Sequence, residues 1–291
     1  MKLQGAFTAL ITPFSKGRVD EKALRSLIRR QLRAGIRGLV PCGSTGEAAT
    51  LEPEEYRRVI EITVEEAAGR VPVVPGVGTN STERTVAACR RVESWGADAL
   101  LVIVPYYNKP TQEGMFRHFS AAARAVKIPV VVYNIPGRTG VNLLPSTLAR
   151  LARARSNITA TKEASGSLDQ VSEVLSLCPP GFTVLSGDDS LTLPMMAVGA
   201  KGVISVASNA VPREVVRLCD SALKGDFRSA ARAHLRLFPL FKSLFLETNP
   251  IPVKAAVAST GLCSDETRLP LVPMSPEPRK RLEAALRGFR L

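Results

Sequence analysis

Apolar positions along this chain follow two rhythms that take turns. Short, nearly continuous runs rich in β-branched residues recur at 6–11, 38–42, 71–77, 99–104, 128–133, 158–161, 182–185 and 203–206. Such runs read as strands buried on both faces. Between them, apolar residues return every three or four positions, the period of a helix with one buried side. Residues 20–34 predict a helix capped by Asp20, with Leu24, Leu27, Ile28 and Leu32 on one face. Residues 53–68 open with Pro53 and two acids and then present Val59, Ile60 and Val64. Residues 82–95 and 112–126 follow the same plan. Strand alternating with helix predicts a parallel sheet covered by helices, and eight such units fit an α/β fold of the (β/α)8 TIM barrel type over residues 1–210.

Residues 211–291 carry four more helical stretches, at 211–221, 227–245, 250–258 and 276–286. They predict a C-terminal helical extension that completes the barrel and packs on it or on a partner subunit. A doubly wound sheet is the alternative, but it usually has fewer strands, and no Gly-x-Gly-x-x-Gly follows the first run. Gly76-Val77-Gly78 closes the third run, lacks the last glycine of that pattern, and reads as a turn.

Composition narrows the function classes. Hydrophobic residues make up 45% and charged residues 22% of the 291, which excludes a disordered chain. No apolar run reaches the ~18 residues of a membrane span, and the N-terminus lacks an apolar signal segment. The five cysteines are odd in number, form no Cys-x-x-Cys pair, and suggest free thiols in a reducing cytoplasm. The net charge of +13 raises nucleic acid as a partner. The basic residues are nevertheless spread through helices, and aromatics are only 5%, too few for a base-stacking platform. A solvated basic surface is the expectation.

In such barrels chemistry gathers at the C-terminal ends of the strands. Those positions hold Gly43-Ser44-Thr45-Gly46-Glu47, Pro105-Tyr106-Tyr107-Asn108, Tyr133-Asn134, Arg138-Thr139-Gly140, Lys162-Glu163 and Gly187-Asp188-Asp189. Lys162 at a strand end points into the barrel mouth, where desolvation favours the neutral amine that attacks a carbonyl. Alternatively it pairs with Glu163 or Glu47. Tyr133 offers a phenol for proton transfer, or is a core tyrosine. Of Tyr106 and Tyr107, one can pack while the other works. Ser44 and Thr45 sit among glycines, where backbone amides can approach an anion, or the glycines only make a tight turn. Arg138 suits a carboxylate, or is one more surface arginine. The two histidines, His118 and His234, form no metal-ligand pattern. Asp188 and Asp189 stand where these barrels hold phosphate, and would repel it. Imine chemistry on an unphosphorylated carbonyl compound remains.

These motifs, with Asn249-Pro250-Ile251-Pro252-Val253-Lys254, resemble the dihydrodipicolinate synthases of the pyruvate-dependent class I aldolase superfamily, which includes N-acetylneuraminate lyase. The match runs from Gly5 to about Leu269. The resemblance implies that Lys162 forms a Schiff base with pyruvate and that the enamine attacks L-aspartate 4-semialdehyde, with no cofactor or metal. It implies that Tyr133 shuttles protons. Ser44 and Tyr107 would complete the relay, with Tyr107 reaching in from a neighbouring subunit of a homotetramer built as a dimer of tight dimers. Thr45 would hold the pyruvate carboxylate and Arg138 that of the semialdehyde, while Gly187 and Ile204 line the site.

Most of these synthases carry threonine where this chain has Ser44, a residue also frequent in sister lyases and dehydratases. An aldolase or dehydratase of 2-keto-3-deoxy sugar acids is therefore the alternative enzyme. A basic nucleic-acid-binding protein on an inactive barrel is the alternative of another class, and the intact Lys162, Tyr133 and Tyr107 argue against it. Lysine-inhibited members of the family carry histidine at Tyr56 and glutamate at Arg84. The resemblance thus implies weak or absent inhibition by lysine here.

Overall fold

Each apolar run pairs with its neighbours in sequence. The computed structural model describes residues 2–289. Strand β1 (Gly5–Ala9) leads into a small antiparallel hairpin, β2 (Phe14–Ser15) and β3 (Arg18–Val19). Seven further strands follow: β4 (Gly38–Val40), β5 (Gly76–Val77), β6 (Leu100–Ile103), β7 (Val130–Asn134), β8 (Ile158–Glu163), β9 (Thr183–Ser186) and β10 (Gly202–Ser205). With β1 they form one parallel sheet in the order β4-β1-β10-β9-β8-β7-β6-β5. Its two ends meet at Leu39, whose N–H donates to the Pro72 carbonyl at 2.9 Å and whose carbonyl accepts from Val74 N–H at 2.8 Å. The sheet is thereby a nearly closed TIM barrel.

The third run behaves differently from its prediction. Only Gly76–Val77 is regular strand, because Pro72 and Pro75 have no N–H to give to the ladder. Gly76 is accordingly paired strand and not a turn. A Cβ there would stand 2.4 Å from the Cys42 carbonyl oxygen, so the close approach of two strand ends requires glycine.

Helices cover the barrel: α1 (Glu21–Arg33), α2 (Pro53–Ala67), α3 (Thr82–Ser94), α4 (Gln112–Arg124), the single turn α5 (Pro136–Thr139), α6 (Pro145–Ala154), α7 (Leu168–Leu177), α8 (Thr192–Ala197) and α9 (Pro212–Leu223). Their starts are written in the sequence: the side chain of Asp20 accepts from Ala23 N–H at 2.9 Å, and Ser81 and Thr111 cap α3 and α4 in the same way. Of the four stretches that the sequence assigns to the C-terminal extension, the first is α9, which packs on β1 and β10, and the other three are α10 (Phe227–Ser243), α11 (Ile251–Ala258) and α12 (Pro276–Leu286). None of the described helices is long and apolar enough to cross a membrane.

Alternation along each strand splits the core in two. Phe7, Ala9, Val40, Leu101, Val131, Tyr133, Ala160, Leu185 and Ile204 fill the barrel interior. Their odd-numbered or even-numbered neighbours, such as Leu100, Val102, Val130, Val132 and Val203, join the larger core between strands and helices. Lys162, two residues beyond Ala160, inherits the inward face. On the outside, arginines meet acids on neighbouring helices: Arg25 and Arg29 both hold Glu66, and Arg58 holds Glu21.

His118 on α4 is buried, with Nδ1 3.0 Å from the Thr82 hydroxyl, and burial pushes its pKa down to about 4. The unfolded chain therefore binds a proton between about 4 and the ordinary 6.5 that the folded chain refuses, so stability drops as pH falls through that window. Read from thermal melts, the change in stability between pH 7 and pH 5 should be roughly 1–2 kcal/mol less favourable in the unmodified protein than in His118→Gln, whatever other groups titrate in both. An equal drop in both proteins would assign the proton uptake elsewhere.

Candidate active site

Parallel register puts the two central side chains next to each other. Tyr133 on β7 pairs with Lys162 on β8, and Lys162 in turn with Leu185 on β9. Both Tyr133 and Lys162 face inward, and Lys162 Nζ lies 4.2 Å from the centre of the Tyr133 ring. Lys162 is 6% exposed. The strand continues through Lys162 and Glu163, two residues further than the apolar run alone predicted.

Neither carboxylate that could have neutralised Lys162 does so. Glu163 points to the opposite face, into a cage of donors: Ser165 N–H at 2.8 Å, the Gln170 amide at 3.1 Å and the Asn134 amide at 3.2 Å. Asn134 is fixed in turn by Leu143 N–H, which donates to its Oδ1 at 3.1 Å. Glu47 is held by Lys254, whose ammonium reaches Oε1 at 2.5 Å, and by the backbone N–H of Arg268 at 3.1 Å. Both side chains of the Glu47–Lys254 pair are essentially inaccessible to solvent. Lys254 also donates to the Glu266 carbonyl at 2.6 Å and lies 4.1 Å from the centre of the Phe14 ring. Burial pulls the Lys254 pKa down, and the Glu47 charge opposes that pull.

A cleft of about 610 Å³ opens above these groups. Its wall includes Ser44, Tyr106, Tyr133, Arg138 and Asn249. Thr45 and Ile204 are buried, and together with Lys162 and Gly187 they stand outside that wall. Gly187 is where it must be small: a Cβ would come within 2.6 Å of the Ala164 Cβ and 3.1 Å of the Lys162 Cε. Arg138, on α5, donates to the main-chain carbonyl of Asn249 at 3.0 Å. Asn249 donates from its amide to Thr45 Oγ1, also at 3.0 Å.

Tyr107 is not brought to this cleft. It is 88% exposed, with φ at +73° in the left-handed region, and its ring stands off the chain's own surface. Tyr106 takes the place on the cleft wall. Nor do the two aspartates after β9 merely repel an anion. Asp189 turns inward and accepts from Val206 N–H and Ala207 N–H, each at 2.9 Å, and from the Ser205 hydroxyl at 2.5 Å. Those amides lead into the short 3-10 turn Ala207–Asn209, so the chain's own carboxylate takes up amides of the loop after the eighth barrel strand, one of the loops through which such barrels bind phosphate. Burial raises the Asp189 pKa to about 6.

Asn249 and Lys254 stand within one sequence motif, which by itself assigns a role to neither. A proline-punctuated helix start far from the barrel strands carries no signal that it returns to the mouth.

The sequence model of the Dihydrodipicolinate synthetase family matches residues 2–288. The chain belongs to that family. It is 51% identical over 288 residues to the 4-hydroxy-tetrahydrodipicolinate synthase of Pelobacter propionicus, covering 99% of each chain. It is 52% identical over 289 residues to that of Syntrophobacter fumaroxidans, again covering 99% of each. The crystal structure of dihydrodipicolinate synthase from Aquifex aeolicus superposes with a TM-score of 0.97 at 50% identity, covering 98% of both chains. The protein is thus a lyase of the dihydrodipicolinate synthase type on a TIM barrel.

The buried pair under the mouth gives a direct test. Lys254→Met leaves the Glu47 carboxylate buried without a counter-charge, and such losses are strongly destabilising, about 3–5 kcal/mol. Denaturant unfolding should show that cost, and the double variant Glu47→Gln/Lys254→Met should recover part of it. Unchanged stability in the single variant would mean that water reaches Glu47.

Proposed function

We propose that this enzyme condenses pyruvate with L-aspartate 4-semialdehyde, as the resemblance implies, in the route to diaminopimelate and lysine. The observation that carries the reading is Lys162: a buried amine at a strand end, in contact with a tyrosine ring and bound to neither nearby carboxylate. Its nitrogen adds to the pyruvate ketone, and loss of water gives the imine. Loss of a methyl proton converts the imine to the enamine, whose carbon attacks the aldehyde. Those proton movements need a group beside the imine, and Tyr133 is the phenol in place. Ser44, half-buried on the cleft wall, supplies a further hydroxyl. Thr45 holds the pyruvate carboxylate, and Arg138 at the mouth holds that of the semialdehyde through charge-assisted hydrogen bonds. Gly187 keeps room for the Lys162 stem, and Ile204 packs the interior below it. No cofactor or metal enters this scheme.

The working assembly in this reading is a homotetramer made of tight dimers. Tyr107, projecting from its own chain, would enter the neighbour's cleft and extend the relay. Leu269, 78% exposed, and Tyr106 add apolar contact surface. The five free thiols suit the reducing cytoplasm. Nucleic acid has no place in the scheme.

Borohydride reduction in the presence of pyruvate should leave a pyruvate-derived mass on Lys162 and none on Lys162→Ala. Tyr133→Phe should still be trapped but condense roughly 10²–10⁴ times more slowly. Trapping that survives Lys162→Ala would remove the mechanism. Faster turnover with a sugar-acid aldehyde than with aspartate semialdehyde would move the enzyme to the sugar-acid aldolases.

Lysine should inhibit weakly or not at all. Where lysine-sensitive members have histidine, Tyr56 gives its hydroxyl proton to the Gly76 carbonyl at 2.6 Å, and burial raises its pKa well above the usual tyrosine range. Arg84 brings a positive charge to the helix that would otherwise meet the ligand's ammonium. Like charges ~4 Å apart repel by about 4 kcal/mol at an effective dielectric constant of 20. An inhibition curve with a sub-millimolar midpoint would overturn this expectation.

A further inference from the structure

Asn249 joins two site elements from opposite sides. Its main-chain carbonyl holds Arg138, and its side-chain Nδ2 donates to Thr45 Oγ1. It is 6% exposed and lines the cleft, and its Oδ1 is buried without a partner. Thr45, 4% exposed, has one proton on its hydroxyl. An oxygen that accepts from an amide must send that proton to another acceptor. Among the described residues none receives it.

We propose that Asn249 is a positioning residue that sets the polarity of the Thr45 hydroxyl, committing it as a donor to the carboxylate of the 2-oxo acid substrate. The proposal deepens the reading above and rests on it. By occupying the acceptor side of Oγ1, the amide leaves the hydroxyl only one useful direction, toward an anion. The same residue, through its carbonyl, anchors the arginine assigned to the second carboxylate. The two anion-holding groups thus share one support, brought to the mouth by the segment just ahead of α11.

An aspartate at this position tests the idea because it keeps the shape and reverses the hydrogen bond. An ionised carboxylate accepts the Thr45 proton, and nothing is left to donate to the substrate. The readout is the pyruvate concentration that half-saturates borohydride trapping, which needs no second substrate. Asn249→Ala should raise it a few-fold, since the hydroxyl loses its orientation only. Asn249→Asp should raise it about 10- to 100-fold, the range carried by a hydrogen bond to a charged group. Thr45→Val, which keeps the residue's shape, should lose a similar factor from the other side of the bond. In the double variant Thr45→Val/Asn249→Asp the loss should stay within about threefold of Thr45→Val alone, because the two changes remove one interaction.

Binding in Asn249→Asp that equals or exceeds that of Asn249→Ala overturns the proposal. That result means Thr45 already donates to Oδ1, a bond aspartate would keep. Losses that multiply in the double variant also overturn it, since they assign the effect to the new charge and not to the hydroxyl. Absence of trapping in the unmodified enzyme overturns the Schiff-base reading and the proposal together. Trapping there, with either of the other results, overturns the proposal alone.

Discussion

The mouth of this barrel depends on two charges that have no access to water. Glu47 ends the turn that carries Ser44 and Thr45, with φ at +52° in the left-handed region. Lys254 comes from α11, beyond the whole barrel in sequence. Removing a carboxylate and an ammonium from water is expensive, and their mutual attraction repays it only when the remaining hydrogen-bonding capacity is also satisfied. Here it is satisfied: Arg268 N–H and the Glu266 carbonyl complete the pair, and both the Lys254 ammonium and the Arg268 guanidinium lie against the Phe14 ring. That arrangement exists only when the first strand's hairpin, the second strand's turn and the C-terminal extension are all in place. The extension is therefore part of the site's framework, even though none of the barrel's strands lies within it.

Above that support, alternation decides what each strand end presents. On β7 and β8 one residue of each adjacent pair faces inward and the next outward. Tyr133 and Lys162 meet inside, and Asn134 and Glu163 meet outside. The outward pair is a second use of the same strand ends. A buried carboxylate surrounded by amide donors anchors the loops that follow both strands without presenting its charge to the amine one residue away. Lys162 is thus kept apart from the acid next to it by the geometry of an extended chain, with no bulky residue needed between them.

Most of this was legible in the residue pattern. The eight runs, the helix cap at Asp20, the strand-end positions of Lys162 and Tyr133 and the place of Arg138 in the turn that follows all come from periodicity and from the habits of parallel barrels. What the pattern could not show was mostly long-range. The Glu47–Lys254 pair and the Asn249–Thr45 bond join residues more than two hundred positions apart. The third strand was over-extended because prolines count as neither apolar nor polar in a rhythm, yet each removes a ladder donor. Tyr107 stands out by its motif, while its ring is turned outward from its own chain. Sign of charge alone makes the aspartates after β9 repel an anion, while the inward turn of Asp189 depends on amides supplied by the next strand's end.

That inward turn has a bearing on the kind of molecule this scaffold can read. Many barrels of this shape grip metabolites by a phosphate tag remote from the reacting carbons, and the tag can supply binding energy for varied chemistry at the other end. Here amides of the loop after the eighth barrel strand are already bound by Asp189. In the proposed reading recognition falls to the substrates' own carboxylates, which lie close to the reacting carbons. Discrimination and reactivity then share one small region, so in that reading a change that broadens what the cleft admits also touches the groups assigned to proton transfer, and no distant handle is left to re-tailor.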